Sequence, residues 1–163
     1  MRGLAEFFLI MLGWDLFLLA LFPSIRLVVD PLLLFLVFLG SALRSSRFLW
    51  LFGLGLGLLK DFYSPELFGA WAGTFSLTAW LIGASRTLVQ WEDPPVVGVW
   101  TAILTLLVGV LHGIWLILAD PFLHWGSGRY SLLPAGMLIQ GMLATWAFPR
   151  FQRLMAGKVA RAL

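Results

Sequence analysis

The chain of 163 residues is 61% hydrophobic, has a mean hydropathy of +0.95 and carries only 12% charged residues, roughly half the charge of an ordinary soluble domain. That composition describes an integral membrane protein, and six spans of about 20 residues each would use most of the length, leaving no separate soluble domain. The absence of cysteine excludes disulfides, thiol catalysis and thiolate-held metals, and the net charge of +3 does not point to nucleic acid, because the basic residues are spread over segment ends and the tail.

The first apolar run covers residues 4–22 behind a single Arg2. Glu6 and Asp15 interrupt it and no small-x-small cleavage pattern follows, so it reads as a retained first helix and not as a secretory signal. The second run has its apolar heart in Pro31 to Leu43, thirteen residues that are too short to cross alone. A span over 25–43 requires the helix to start near Ile25, with Arg26 reaching the interface along its own stem and Pro31 kinking or beginning the helix.

The third and fourth runs, 48–63 and 67–84, form a hairpin around a short polar break with Lys60, Asp61 and Glu66. Glycines at Gly53, Gly57, Gly69 and Gly73 repeat at the small-x-x-x-small spacing that lets membrane helices approach backbone to backbone. This hairpin is therefore expected at the centre of the bundle. Residues 85–95 are the longest polar link, closed by a Pro-Pro stop. Residues 96–119 form the longest and cleanest run, with a further Gly109/Gly113 pair. Residues 132–148 make the sixth span, which Pro149 ends.

With the amino terminus in the cytoplasm, eight of the eleven Lys and Arg residues fall inside and Arg26, Lys60 and Arg129 fall outside, the expected positive-inside bias. The expected architecture is an all-α integral membrane protein: a compact six-helix bundle over residues 1–149 with both termini inside, followed by a basic cytoplasmic tail over 150–163. In the tail, Phe151, Leu154, Met155 and Val159 share one arc, which fits an interfacial helix on the anionic inner leaflet or a frayed basic stop signal.

Ionisable groups at membrane depth cost on the order of 3 kcal/mol each, so each needs a reason. Asp15 in the first span, His112 in the fifth and Gln140 in the sixth can meet at similar depth. They make either a proton or ligand site or a polar contact pinning helices, and the second is the default in lipid. Asp61 follows the glycine ridge and can accept hydrogen bonds from the free amides opening the next helix. Lys60 and Glu66 can equally be polar partners of the hairpin or solvated charges contributing little. No nucleophile, second acid or metal-ligand spacing accompanies these groups, so neither an enzyme nor a cofactor is expected.

The run from Pro31 to Gly40 (PLLLFLVFLG), Arg47 before the third span, and Gly57-Leu-Leu-Lys-Asp61 followed by Pro65-Glu-Leu-Phe-Gly69 resemble the rod shape-determining protein MreD family. In that family a Gly-x-x-x-Asp element closes the third helix and a Pro-x-x-x-Gly element opens the fourth. The resemblance covers length, topology and residues 31–85, and the last third has no matching signature. It implies a non-enzymatic component of the bacterial inner membrane that binds the scaffold MreC. Through MreC it would reach a SEDS glycosyltransferase and a class B penicillin-binding protein, alongside the MreB filament inside. It also implies a fold resembling the S components of energy-coupling-factor (ECF) vitamin transporters, and such a substrate-binding S component is the alternative reading. That alternative asks for an Ala-x-x-x-Ala coupling face early in the chain, whereas the first span offers only Gly3, Ala5, Gly13 and Ala20. On the scaffold reading, Gly53, Gly57, Pro65, Gly69 and Gly73 belong to the close-packing or partner-binding hairpin, and Asp61 and Glu66 make the polar outer-rim contacts.

Overall fold

The computed structural model describes residues 2–21, 29–42, 48–64, 68–87, 90–119 and 132–159, among which there are six α-helices and no strand. They are α1 (Arg2–Leu21), α2 (Pro31–Ala42), α3 (Leu49–Tyr63), α4 (Ala70–Ala84), α5 (Pro94–Ala119) and α6 (Leu133–Val159), with a short 3-10 turn over Ser85–Thr87 after α4. The fold is all-α.

Helix directions follow from which ends touch. Lys60, at the end of α3, meets Asp30, at the start of α2, so these two run antiparallel. Asp61 on α3 bonds the first turn of α4, so that pair is antiparallel as well. Gln140, in the first third of α6, reaches Asp30 and aligns α6 with α2. Arg86, just past α4, donates to the Gly40 carbonyl near the end of α2 and aligns α4 with α2. The bundle therefore alternates up and down through the chain.

α2, and not the α3–α4 hairpin, is the centre. It packs against each of the other five helices, and every residue from Pro31 to Gly40 is buried. A helix apolar on all sides has no face to give to solvent, and the consistent outcome is complete enclosure. Phe38 stacks on Phe151 with ring centroids 5.2 Å apart and meets Phe148 at 5.7 Å, tying α2 to α6.

Three boundaries differ from the sequence reading. Of the span expected over 25–43, residues 25–28 and 43 lie outside the described residues; Val29 and Asp30 are non-helical and α2 starts at Pro31, where proline's fixed φ and missing N–H suit a first helical position. At 12 residues it rises about 18 Å, short of a hydrocarbon core of about 30 Å. Pro94 and Pro95 do not merely stop the preceding link but are the first two residues of α5, with Val97 N–H already bonded to the Asp93 carbonyl at 3.0 Å. Pro149 does not end the last helix; α6 continues through it for another ten residues to Val159.

Pro94–Leu118 is long and apolar enough to cross a membrane by length and composition, with a mean hydropathy of 2.2 over its most apolar stretch.

Candidate functional site: a polar layer shared by six helices

Near one end of the bundle every helix contributes a polar or aromatic group to a single layer. Its core is a buried ion pair between Lys60 of α3 and Asp30, the residue before α2. Asp30 Oδ1 also accepts the backbone N–H groups of Leu32 and Leu33, each at 3.1 Å, so this carboxylate caps α2 and neutralises Lys60 together. Gln140 of α6 clasps the Asp30 backbone from the other side: its Oε1 accepts the Asp30 N–H at 2.9 Å and its Nε2 donates to the Asp30 carbonyl at 2.6 Å. A buried ion pair persists only when its remaining donors and acceptors find partners, and here helix amides and a side-chain amide supply them.

The ammonium of Lys60 lies 3.9 Å from the centroid of the Trp71 ring on α4 and 5.3 Å from that of Phe75, desolvated cation–π geometry. Trp71 also stacks on His112 of α5 with centroids 3.9 Å apart, and its indole N–H donates to Ser64 Oγ at 3.3 Å. Three residues beyond Lys60, Tyr63 donates its hydroxyl to Asp15 Oδ2, bringing in α1. Asp15, Lys60 and Gln140 have no exposed surface and His112 has 1%.

Asp61 performs a cap that its own helix neighbour cannot. The residue preceding α4 is Gly69, which has no side chain to offer. Asp61, eight residues before Gly69 on α3, accepts the Trp71 N–H at 3.1 Å and the Ala72 N–H at 3.0 Å. One carboxylate thereby satisfies two of the four orphan donors of α4 and locks the α3–α4 hairpin.

The glycines divide by role. A Cβ on Gly53 would meet the Phe75 carbonyl at 2.5 Å and Ala79 at 2.6 Å, and one on Gly57 would run into the backbone of Trp71 and Ala72. These two let α3 and α4 touch along their backbones. Gly69 has open space around it but a φ of +95°, so conformation and not packing demands glycine there. A Cβ on Gly73 would meet the Trp115 ring at 3.2 Å. The α5–α6 crossing rests on a pair absent from the sequence reading: a Cβ on Gly98 would meet the Gly141 carbonyl at 2.8 Å, and one on Gly141 the Gly98 carbonyl at 2.9 Å. Gly109 packs instead on Leu133.

The structure places Asp15, His112 and Gln140 in this one layer, each through a different partner: Tyr63, Trp71 and Asp30. Lys60 is not a solvated charge, because tertiary neighbours enclose it fully. Pro65, expected in the hairpin, and Glu66, expected at its outer rim, lie outside the described residues. Asp30 was missed, although Asp directly before Pro at the head of an apolar run is a helix-start signature and was available to be read. Among the described residues no group of three or more His, Asp or Glu is arranged to hold a metal ion.

At the opposite end of α2, Arg86 donates to the Gly40 carbonyl, and burial pushes its guanidinium below the usual arginine pKa.

A separate groove of about 470 Å³ opens between α1 and α3. It is walled by Ala5 and Phe8 on one side, Leu51, Phe52, Gly55 and Leu59 on the other, and floored by Phe35 of α2. A Cβ on Gly55 would meet nothing within 4 Å. No family model, curated protein or solved structure matches the chain.

Proposed function

We propose that the chain is a multi-pass protein of the bacterial cytoplasmic membrane, a six-helix bundle with both termini inside that encloses the short α2 and acts as a non-enzymatic scaffold. The observation that carries this is the inverted polarity of α1. Asp15 has no exposed surface, while its neighbours Trp14 and Phe17 are 53% and 57% exposed. A surface apolar residue is unremarkable by itself, but large aromatics turned outward beside a carboxylate turned fully inward suit a lipid environment. Val99, Leu118, Leu138 and Met142, each more than 60% exposed, extend the same apolar exterior over α5 and α6.

Within that membrane the polar layer joins helices to one another. Its carboxylates hold helix amides, a lysine and a tyrosine hydroxyl, an arrangement that supports a rigid body presenting shape. The groove between α1 and α3 is the surface on offer, lined by apolar residues and laterally open, suited to the single transmembrane helix of a partner. Together with the MreD resemblance of residues 31–85, this supports a role in the elongation machinery. MreC is then the direct partner, with the SEDS glycosyltransferase, the class B penicillin-binding protein and MreB reached through the assembly.

The test is co-expression with a single-span MreC. A stoichiometric membrane complex is expected, weakened by Gly55→Trp, which fills the groove without touching the polar layer. Recovery of the chain alone with a tightly held vitamin-like compound would overturn the scaffold in favour of an ECF-type S component.

A further inference from the structure

α6 is longer than the bundle needs. Its 27 residues extend about 40 Å, against about 30 Å of hydrocarbon in a bilayer. The antiparallel contacts of Gly98 with Gly141 and of Gly109 with Leu133 set its register on α5. Continued from the Gly98/Gly141 contact to the start of α5, that register places Pro94 level with Thr145. Residues after Phe148 therefore overhang the start of α5, though not α1 and α2, and this overhang includes Pro149, Arg150, Phe151, Gln152 and Arg153.

The first turn of this overhang is anchored and aimed. Phe151 is 3% exposed, with its ring centroid 5.2 Å from those of both Phe7 and Phe38, which fixes one side of the turn to α1 and α2. Arg150 and Arg153 are exposed and lie three residues apart, as neighbours on the helix surface. The Arg150 guanidinium carbon lies 3.6 Å from the centroid of the Trp146 ring, itself 62% exposed, and one Nη1–H donates to the Trp146 carbonyl at 2.8 Å. Stacking and that hydrogen bond set the plane of the fork and leave its other N–H groups to bind an oxyanion. A planar, pre-oriented guanidinium is the geometry that recognises phosphate with two parallel hydrogen bonds, and a tryptophan beside it marks the level of lipid headgroups.

We propose that Arg150, held against Trp146, together with Arg153 forms a phosphate-binding site for an anionic phospholipid of the inner leaflet. This rests on the membrane reading above. The lipid phosphate sits on the Arg150 fork with Arg153 as second cation, and the exposed Trp146 face lies against the upper acyl chain. The site fixes the depth of α6 and couples the bundle to anionic lipid.

The experiment extracts the full chain from membranes in mild detergent and counts retained lipid by native mass spectrometry, with phosphatidylglycerol and phosphatidylcholine as probes. Retention of phosphatidylglycerol over phosphatidylcholine is expected, falling about fivefold for each arginine replaced in R150A and in R150A/R153A. R150K should retain an intermediate amount, since it keeps the charge but loses the fork. Inorganic phosphate and short-chain phosphatidylglycerol serve as competitors: displacement by the short-chain lipid alone supports a lipid site, and equal displacement by free phosphate overturns the lipid as ligand. Unchanged phosphatidylglycerol retention in a membrane-integrated R150A/R153A of unaltered thermal stability overturns the site while leaving the membrane reading intact. Recovery of the wild-type chain in the soluble fraction removes both.

Discussion

Lys60 and Asp30 form an ion pair wholly inside the bundle, and the ammonium of that pair lies on the face of Trp71 while the carboxylate of that pair caps α2. Two residues thirty positions apart therefore set the relative positions of α2, α3 and α4 at once. Removing one partner leaves the other charged and buried. Lys60→Met and Asp30→Asn should each destabilise the fold by about 3–5 kcal/mol, whereas Lys60→Met combined with Asp30→Asn should recover part of the loss. Denaturation of the purified protein in detergent measures all three, and strict additivity of the single losses would disprove the coupling.

The α3–α4 contact depends on missing side chains at two positions and not at a third. Gly57→Ala and Gly53→Ala insert a methyl into the α4 backbone, which must separate the helices and cost about 1–3 kcal/mol. Gly55→Ala, facing open space, should be neutral or slightly stabilising because it lowers chain entropy in the unfolded state. Thermal stability of the three variants ranks them, and equal effects at Gly55 and Gly57 would contradict the crossing.

Gly69 separates conformation from packing. Nothing lies within 4 Å of where its side chain would be, yet φ is +95°. Gly69→Val should cost about 1–2 kcal/mol and Gly69→Asn distinctly less, since Asn enters the left-handed region more readily. Equal stability of the valine and asparagine variants in detergent would rule out a conformational cause.

Asp61→Ala removes the acceptor for two amides at the head of α4 and should cost about 1–3 kcal/mol. Hydrogen exchange should then quicken at the amides of Trp71 and Ala72 ahead of the rest of α4, and uniform exchange along that helix would count against the cap.

Asp15→Asn keeps the shape of the group and its ability to accept from Tyr63. Assembly and partner capture should persist if the contact only joins α1 to α3. Under the proposed scaffold role, loss of cell-shape complementation with the complex still intact would show that the charge of Asp15, and not its hydrogen bond, is required.

Much of the helical framework could be read directly from the chain. The apolar run over 48–63 coincides with α3 to within one residue, and Asp61 stood out because it follows a glycine ridge and precedes a helix start. Asp30 was legible as well, through Asp-Pro at the head of an apolar run, but its link to Lys60 was not. Local pattern reports which backbone amides need a partner, and it does not report which distant charge will be enclosed beside them.

Composition and periodicity by themselves determined that the chain is apolar, helical, free of thiol chemistry and punctuated by glycine, because these properties belong to residues and their near neighbours. Only the tertiary structure decided that the short α2 is the hub, that Lys60 is enclosed, that Gly98 meets Gly141 and that α6 runs through Pro149. Burial and pairing belong to surfaces that come together from separate helices. A uniformly apolar segment has no face of its own, so its place in the middle is set by the five helices packed around it.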